Sequence, residues 1–436
     1  MLMRRYNKRA YKIKPYRSYR NNKNKKDIFS ISIVALLVAV IMLGFVLPTY
    51  NIVSWDPIFK IGTVKSQFIS SQQESVPKKV DYLSAYRESP QTDYQLHKEP
   101  VKVKGIYVSG NRAGSEGIDA LIDLCGRTEI NAMIIDVKND DGTLTFAMEN
   151  PALEQLGIIP ASVPIKNIES LIEKLYANDI YPIARIIAFK DNTIKAKHPE
   201  YMLKNKDGSF YESSEPGNRK ATWLNPYNKD VWDYILTLSK GAAAVGFKEI
   251  QFDYIRFHEG ASAGQIDFGP DSENKGKTLI ISEFTKYIVE QLHTEGVYVS
   301  ADVFGAIITS KQDAEIVGQD YAEMARHLDY ICPMVYPSHY ANGSFGVEHP
   351  DLDPYQILLG SMEASSDQLK VISNEDHKAI VRPWLQDFTA TWMPVHQPYG
   401  PKELKEQMQG VYDAGIDEWL LWNASNRYTE AGLLTK

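Results

Sequence analysis

The sequence predicts an α/β fold: a (β/α)8 TIM barrel preceded by an N-terminal transmembrane helix and a stalk. Three observations lead there. A basic head is followed by twenty residues without a charge, Ile28 to Leu47. Past residue 101, eight short β-rich runs alternate with amphipathic helical stretches. Charged residues recur at the far ends of those runs, where an apolar strand tolerates them only with a partner or a task.

The head comes first. Residues 1–27 hold 11 Lys and Arg against one Asp, and the remainder holds 37 against 54. The acidic body argues against nucleic acid as a partner. Segment 28–48 is long enough to cross a hydrocarbon core of about 30 Å as a helix, and Pro48 ends it. The basic flank keeps residues 1–27 in the cytoplasm and puts the rest outside the cell. The alternative is a cleaved signal peptide. The apolar run exceeds that of a signal peptide, and no small-x-small site follows Leu47, which favours an uncleaved anchor in the membrane. Residues 49–100 show no sustained period and read as a stalk.

Residues 101–436 form the barrel domain. The strands are expected over 104–110, 132–138, 181–189, 249–257, 297–305, 329–338, 379–388 and 418–425. Helical patterns fall at 166–178, 230–245, 279–294, 312–328 and 402–414, and Asn178, Gly246, Gly296 and Gly415 are placed to end helices. The competing fold is an open doubly wound sheet. Its Gly-rich turn is missing, since Gly110-Asn-Arg-Ala-Gly114 lacks the G-x-G-x-x-G spacing. Only residues 428–436 remain to form an eighth helix. Cys125 falls in an apolar helix and Cys332 in an apolar strand, so both read as buried thiols.

Barrels of this kind carry their chemistry at the C-terminal ends of the strands. There the sequence offers Asp136 and Lys138, Arg185, Asp253 and Arg256, Asp302, Tyr336 and His339, Arg382 and Trp384, and Trp422 and Asn423. Acids and amides bond hydroxyl groups, and Trp and Tyr stack on sugar faces, so the rim suits a polyhydroxylated substrate. The long loop 190–228 adds Trp223 and Asn225, as a lid or as an insertion with its own core. The loop 389–400, with Trp392, invites the same two readings.

Glycoside hydrolysis needs two carboxyls about one bond. Asp253 and Asp302 sit on neighbouring predicted strands, Asp253 as nucleophile or base and Asp302 as general acid. Arg256 is expected to hold Asp253 ionised. The plainer reading makes Asp253–Arg256 a rim ion pair and Asp302 a loop cap. No H-x-H or H-E-x-x-H spacing supports a metal, no G-x-S-x-G supports a nucleophilic serine, and no cofactor is expected.

Several segments together resemble a bacterial family of glycoside hydrolases: Lys104-Gly-Ile-Tyr-Val108, Met133-Ile-Ile-Asp-Val-Lys138, Ile250-Gln-Phe-Asp-Tyr-Ile-Arg-Phe257, Val299-Ser-Ala-Asp-Val-Phe-Gly305 and Pro333-Met-Val-Tyr-Pro-Ser-His-Tyr340. The resemblance spans about residues 101–430. It implies a barrel fold and glycan hydrolysis, and favours Asp253 and Asp302 as the working pair. His258 stands where the family's strand-4 motif is expected to carry Pro. The expected partner is a polysaccharide or oligosaccharide. The rival classes are a non-catalytic glycan-binding barrel and a polysaccharide deacetylase, and the latter predicts metal dependence.

Overall fold

The structure, a computed structural model, describes residues 101–436 apart from 216–218 and residue 263. The expected head, the membrane segment 28–48 and the stalk lie outside the described residues. Among the described residues no helix is long and apolar enough to cross a membrane.

Eight strand positions close into a parallel barrel. They are β1 (Lys104–Val108), β2 (Ala132–Lys138), β3 (Tyr181–Ile187), β4 (Glu249–Asp253), β5 (Tyr298–Phe304), β6 (Tyr330–Met334), β7 (Trp384–Gln386) and β8 (Trp419–Trp422). Each pairs in parallel with its neighbours, and β8 returns to β1 through Lys104↔Trp419. The seventh strand position is broken. A two-residue piece, Ile380–Val381, pairs with β6 ahead of β7 proper. Pro383 falls in the gap, where it has no N–H to give the ladder.

Helices α1 (Gly117–Arg127), α2 (Ile168–Tyr176), α3 (Lys229–Ala244), α4 (Lys277–His293), α5 (Lys311–Val317), α6 (Tyr321–Ala325), α7 (Pro354–Leu369) and α8 (Pro401–Asp413) fall between the strands in sequence. The pattern over 312–328 splits into α5 and α6 because Gly318 takes φ +81° and ends α5. A side chain there would meet the Lys277 carbonyl oxygen at 2.9 Å. Helix α7 adds to the expected set. Asp353 caps it by accepting from Gln356 N, and Pro354 opens it. After β8 the described chain makes one 3-10 turn, Glu430–Gly432, and its tail pairs back at Thr128↔Thr435.

Alternation along the strands sorts the core. On β4, Ile250 and Phe252 join the large apolar cluster shared with the helices. The lumen holds a smaller cluster with Ala132, Ile134, Ile183, Tyr330 and Leu420. Polar residues alternate with these, so Glu249, Gln251 and Asp253 share one side of β4 and are buried. Cys125 and Cys332 are free and buried.

The described part of the loop between β3 and α3 is an insertion with its own core. It holds one-turn helices at Ile194–Ala196 and Pro199–Tyr201 and a hairpin of Glu212–Glu215 with Arg219–Thr222. Ile194, Leu203, Tyr211, Trp223 and Leu224 are buried within it.

Candidate active site

The two expected carboxyls come together. The register pairs Phe252 of β4 with Ala301 of β5, so the next residues, Asp253 and Asp302, stand side by side. Both are buried, at 7% and 2% exposure. Their surroundings differ.

Asp253 closes β4. Its Oδ2 accepts from Arg185 Nη2 at 2.6 Å and Nε at 3.2 Å. Its Oδ1 accepts from the Tyr254 backbone N–H at 2.6 Å. Tyr254 takes φ +50°, a left-handed turn that costs a non-glycine residue roughly 1–3 kcal/mol. That turn ends the strand four residues before its expected limit, and it sits directly against a candidate catalytic carboxylate.

Arg185 stands in β3 at the level of Asp136 in β2. Its Nη1 reaches Asp136 Oδ1 at 2.7 Å and its Nη2 reaches Asp140 Oδ1 at 3.0 Å. Burial works to lower the Arg185 pKa, but the charges of Asp253, Asp140 and Asp136 outweigh it and hold the guanidinium well above its ordinary range. Tyr107 donates to Asp136 Oδ2 at 2.6 Å. Burial raises the Asp136 pKa, with Arg185 and Tyr107 opposing the rise. One guanidinium thus serves three carboxyl groups, and the side chain of Asp140 is 51% exposed.

Asp302 has no cationic partner among the described residues. Its Oδ1 accepts from Trp384 Nε1 at 2.6 Å. Burial first, and then the Asp253 charge, push its pKa well above the usual carboxylate range. Two neighbouring carboxyls, one buried without a cation and the other bonded to a guanidinium, are placed as an acid and its partner carboxyl would be.

Aromatic rings surround the pair. Trp422 stacks on Tyr107 with centroids 4.2 Å apart, stands edge-on to Trp384, and has the Arg185 guanidinium 5.3 Å from its ring. Tyr336 is buried, and its hydroxyl is pushed up by burial and then by Asp302 and Asp253, which places it by the pair.

Other expected site residues fall elsewhere. Arg256 does not hold Asp253. It lies beyond the left-handed turn, bonds Glu259 at 3.1 Å and its neighbour's carbonyl at 3.0 Å, and covers Phe304. Lys138 leaves the rim because a register shift between Asp136 and Lys138 turns it away. It pairs with Asp191 at 2.8 Å, both fully buried, beside Tyr234 of α3. Trp223 is 1% exposed and donates to Ser213 Oγ, so it stabilises the insertion. Asn225 bonds the Phe268 carbonyl and Tyr227 N, and Asn423 bonds the Asp387 carbonyl and Ser425 N; both organise loops. His339 is exposed at the rim, edge-on to Tyr336 and bonded to Ser338 Oγ. His258 bonds Tyr211 Oη at 2.6 Å, and burial lowers its pKa. Arg382 stands away from the rim, in a buried network with Glu249 and Glu418, the first residue of β4 and the residue before β8.

Sequence reasoning placed Arg185 at the rim but not on Asp253, and it passed over Tyr107. Alternation along β1 was the available signal, since Gly105 and Tyr107 share a side while Ile106 and Val108 enter the outer cluster.

A closed parallel barrel with acids, one shared arginine and aromatic rings at the C-terminal ends of its strands has the parts that a glycan-hydrolysing barrel uses. The chain is a member of the family described as "putative glycosyl hydrolase domain", whose model matches residues 105–428. Among solved structures it is similar to the PgaB (BpsB) glycoside hydrolase domain from Bordetella bronchiseptica. That match is 15% identical with a TM-score of 0.54, over 74% of this chain and 94% of that one. It is also similar to a hypothetical protein from Ruminiclostridium thermocellum ATCC 27405, at 38% identity and a TM-score of 0.40, over 45% of this chain and 97% of that one. A comparison with curated proteins finds no match.

Proposed function

We propose that this protein is an extracellular glycoside hydrolase that cleaves glycosidic bonds in a polysaccharide, held at the membrane by segment 28–48. Asp302 is the general acid and Asp253 the nucleophile or base. The observation that carries the reading is the contrast between the two carboxyls: one buried without a cation, the other charge-paired with Arg185.

In this reading the proton sits on Asp302 Oδ2, because Oδ1 accepts from Trp384. It passes to the leaving oxygen as the C1–O bond breaks, and the bonding pair stays with that oxygen. Asp253 Oδ1, bonded only to a backbone N–H, either attacks C1 or takes a proton from the attacking water. Asp136 and Asp140 add negative charge near the cation-like transition state, more than Arg185 alone neutralises. Trp422, half-buried, supplies stacking surface.

The test uses the soluble domain, residues 101–436, beside its Asp253→Asn form. Both are incubated with a panel of polysaccharides that includes bacterial surface glycans, and new reducing ends are assayed. Release by the wild type, with a loss of roughly 10²-fold or more in the variant, is expected. Equal release by both forms would remove Asp253 from the mechanism. No release, with both forms retained alike on immobilised glycan, would make the protein a binding barrel.

A further inference from the structure

We propose that Trp392, backed by Phe388, forms an outer sugar-binding subsite on the loop after β7, so that the substrate is a glycan chain extending from the carboxyl pair across that loop. This deepens the glycosidase reading and rests on it for the position of the cleaved bond. The stacking itself does not depend on turnover.

The tryptophans of the described residues sort into two groups. Trp223, Trp232, Trp384 and Trp419 are at most 5% exposed. Their indole N–H groups donate to Ser213 Oγ, the Pro226 carbonyl, Asp302 Oδ1 and Tyr412 Oη. These are core rings with satisfied polar edges. Trp392 and Trp422 are half-buried, and no protein acceptor among the described residues takes their N–H. Trp422 already borders the carboxyl pair. Trp392 packs into neither apolar cluster of the described residues, so its ring does nothing for the core.

Its position is nonetheless built. Phe388 stacks on one face of Trp392, with centroids 5.8 Å apart and planes 23° from parallel. Phe388 meets Tyr336 edge-on at 5.8 Å, and Tyr336 borders Asp302 and Asp253. The rings form a row leading outward from the candidate catalytic pair. Asp351, 1% exposed, ties the loop down. Its carboxylate accepts from Gln386 Nε2 at 3.1 Å and Gln397 N at 3.1 Å, and its carbonyl accepts from Gln397 Nε2 and Tyr399 Oη. A platform ordered in advance loses little entropy when a ligand lands on it.

The chemistry of the loop selects the occupant. Between Thr389 and Gly400 there is no Asp, Glu, Lys or Arg. A flat, uncharged indole with a free N–H suits the C–H face of a pyranose and one of its hydroxyls. A charged peptide or a phosphate would find no counter-charge there.

The experiment compares residues 101–436 of the wild type with Trp392→Ala and Trp392→Phe. The three are run on native gels cast with glycol chitin, glycol chitosan, xylan or laminarin. Kinetics follow on oligosaccharides of graded length cut from any polymer the wild type hydrolyses. Thermal midpoints should agree, because the ring lies outside the core. Expected is retardation of the wild type in at least one gel, lost in Trp392→Ala and largely kept in Trp392→Phe. On long oligomers, KM should rise roughly tenfold in Trp392→Ala with kcat little changed, and the shortest cleaved oligomer should show no difference. Retardation that depends on Trp392 without hydrolysis by the wild type would sustain the subsite and sink the glycosidase reading. Hydrolysis with equal KM for wild type and Trp392→Ala at every length would do the reverse. Retardation in no gel together with no hydrolysis would overturn both.

Discussion

Asp253 and Asp302 are the same residue type on neighbouring strands, and only their surroundings distinguish them. The raised pKa of Asp302 has a sign that stability measurements can read. An acid whose pKa is raised on folding binds more protons in the native than in the unfolded state, across the window from the ordinary carboxylate value of about 3.9 up to the raised one. Stability contributed by the protonated group is full below that window and is lost as pH rises through it. Asp302→Asn removes the titration and keeps an acceptor for Trp384. The variant should therefore match the wild type near pH 4 and become the more stable of the two as pH climbs, while turnover falls by roughly 10²–10⁴. Thermal midpoints taken from pH 4 to pH 9 decide it, and parallel curves for the two proteins would mean that Asp302 is not held protonated. Both carboxyls were legible in the sequence because charge at the end of an apolar strand stands out. Their partners were not. Arg256 is nearer Asp253 in sequence than Arg185 is, but a cross-strand neighbour on the same face is nearer in space.

At the scale of elements, the strands were legible and their ends were not. Short β-rich apolar runs located all eight strand positions. Two departures have a plain local cause, the left-handed turn at Tyr254 that ends β4 and the missing N–H of Pro383 that breaks the seventh position, and within β2 a register shift precedes Lys138. The shift alone moved Lys138 from the site to a buried pair with Asp191. A left-handed residue has different worth at different places. At Tyr254 it borders the carboxylate. Asp179 takes φ +55° just past the end of α2, exposed, with Asn178 rather than a glycine before it. Relaxing that second site should gain stability without touching chemistry. Asp179→Gly is expected to add about 0.5–1 kcal/mol, read as a small upward shift in the denaturant midpoint, with activity unchanged. A loss of stability would show that the Asp side chain holds the turn in some way its backbone angle does not reveal.

Across the described residues no hydrogen bond joins the barrel's two charge networks, though the Glu249 charge adds a minor share to the raised pKa of Asp302. The site network gathers around Arg185, where β3 meets the C-terminal end of β4. The other joins Arg382 to Glu249 and Glu418, with Arg382 over the Tyr330 ring at 3.6 Å. The second network should bear on stability far more than on catalysis. Arg382→Met leaves two buried acids without their cation, at a cost of about 3–5 kcal/mol. Replacing all three with Glu249→Leu, Arg382→Met and Glu418→Gln removes the orphaned charges, and the Gln keeps an acceptor for the Val103 N–H. That triple variant should recover most of the loss, because a buried ion network is often no more stable than well-packed neutral groups. Turnover per folded molecule should stay near wild type in both variants, since neither Glu249 nor Glu418 borders Asp302 through a hydrogen bond. Urea unfolding reads the stability, and active-site activity corrected for the folded fraction reads the chemistry. If Arg382→Met removed activity from folded molecules as completely as Asp302→Asn, the two networks would be one, and the far end of the barrel would belong to the mechanism.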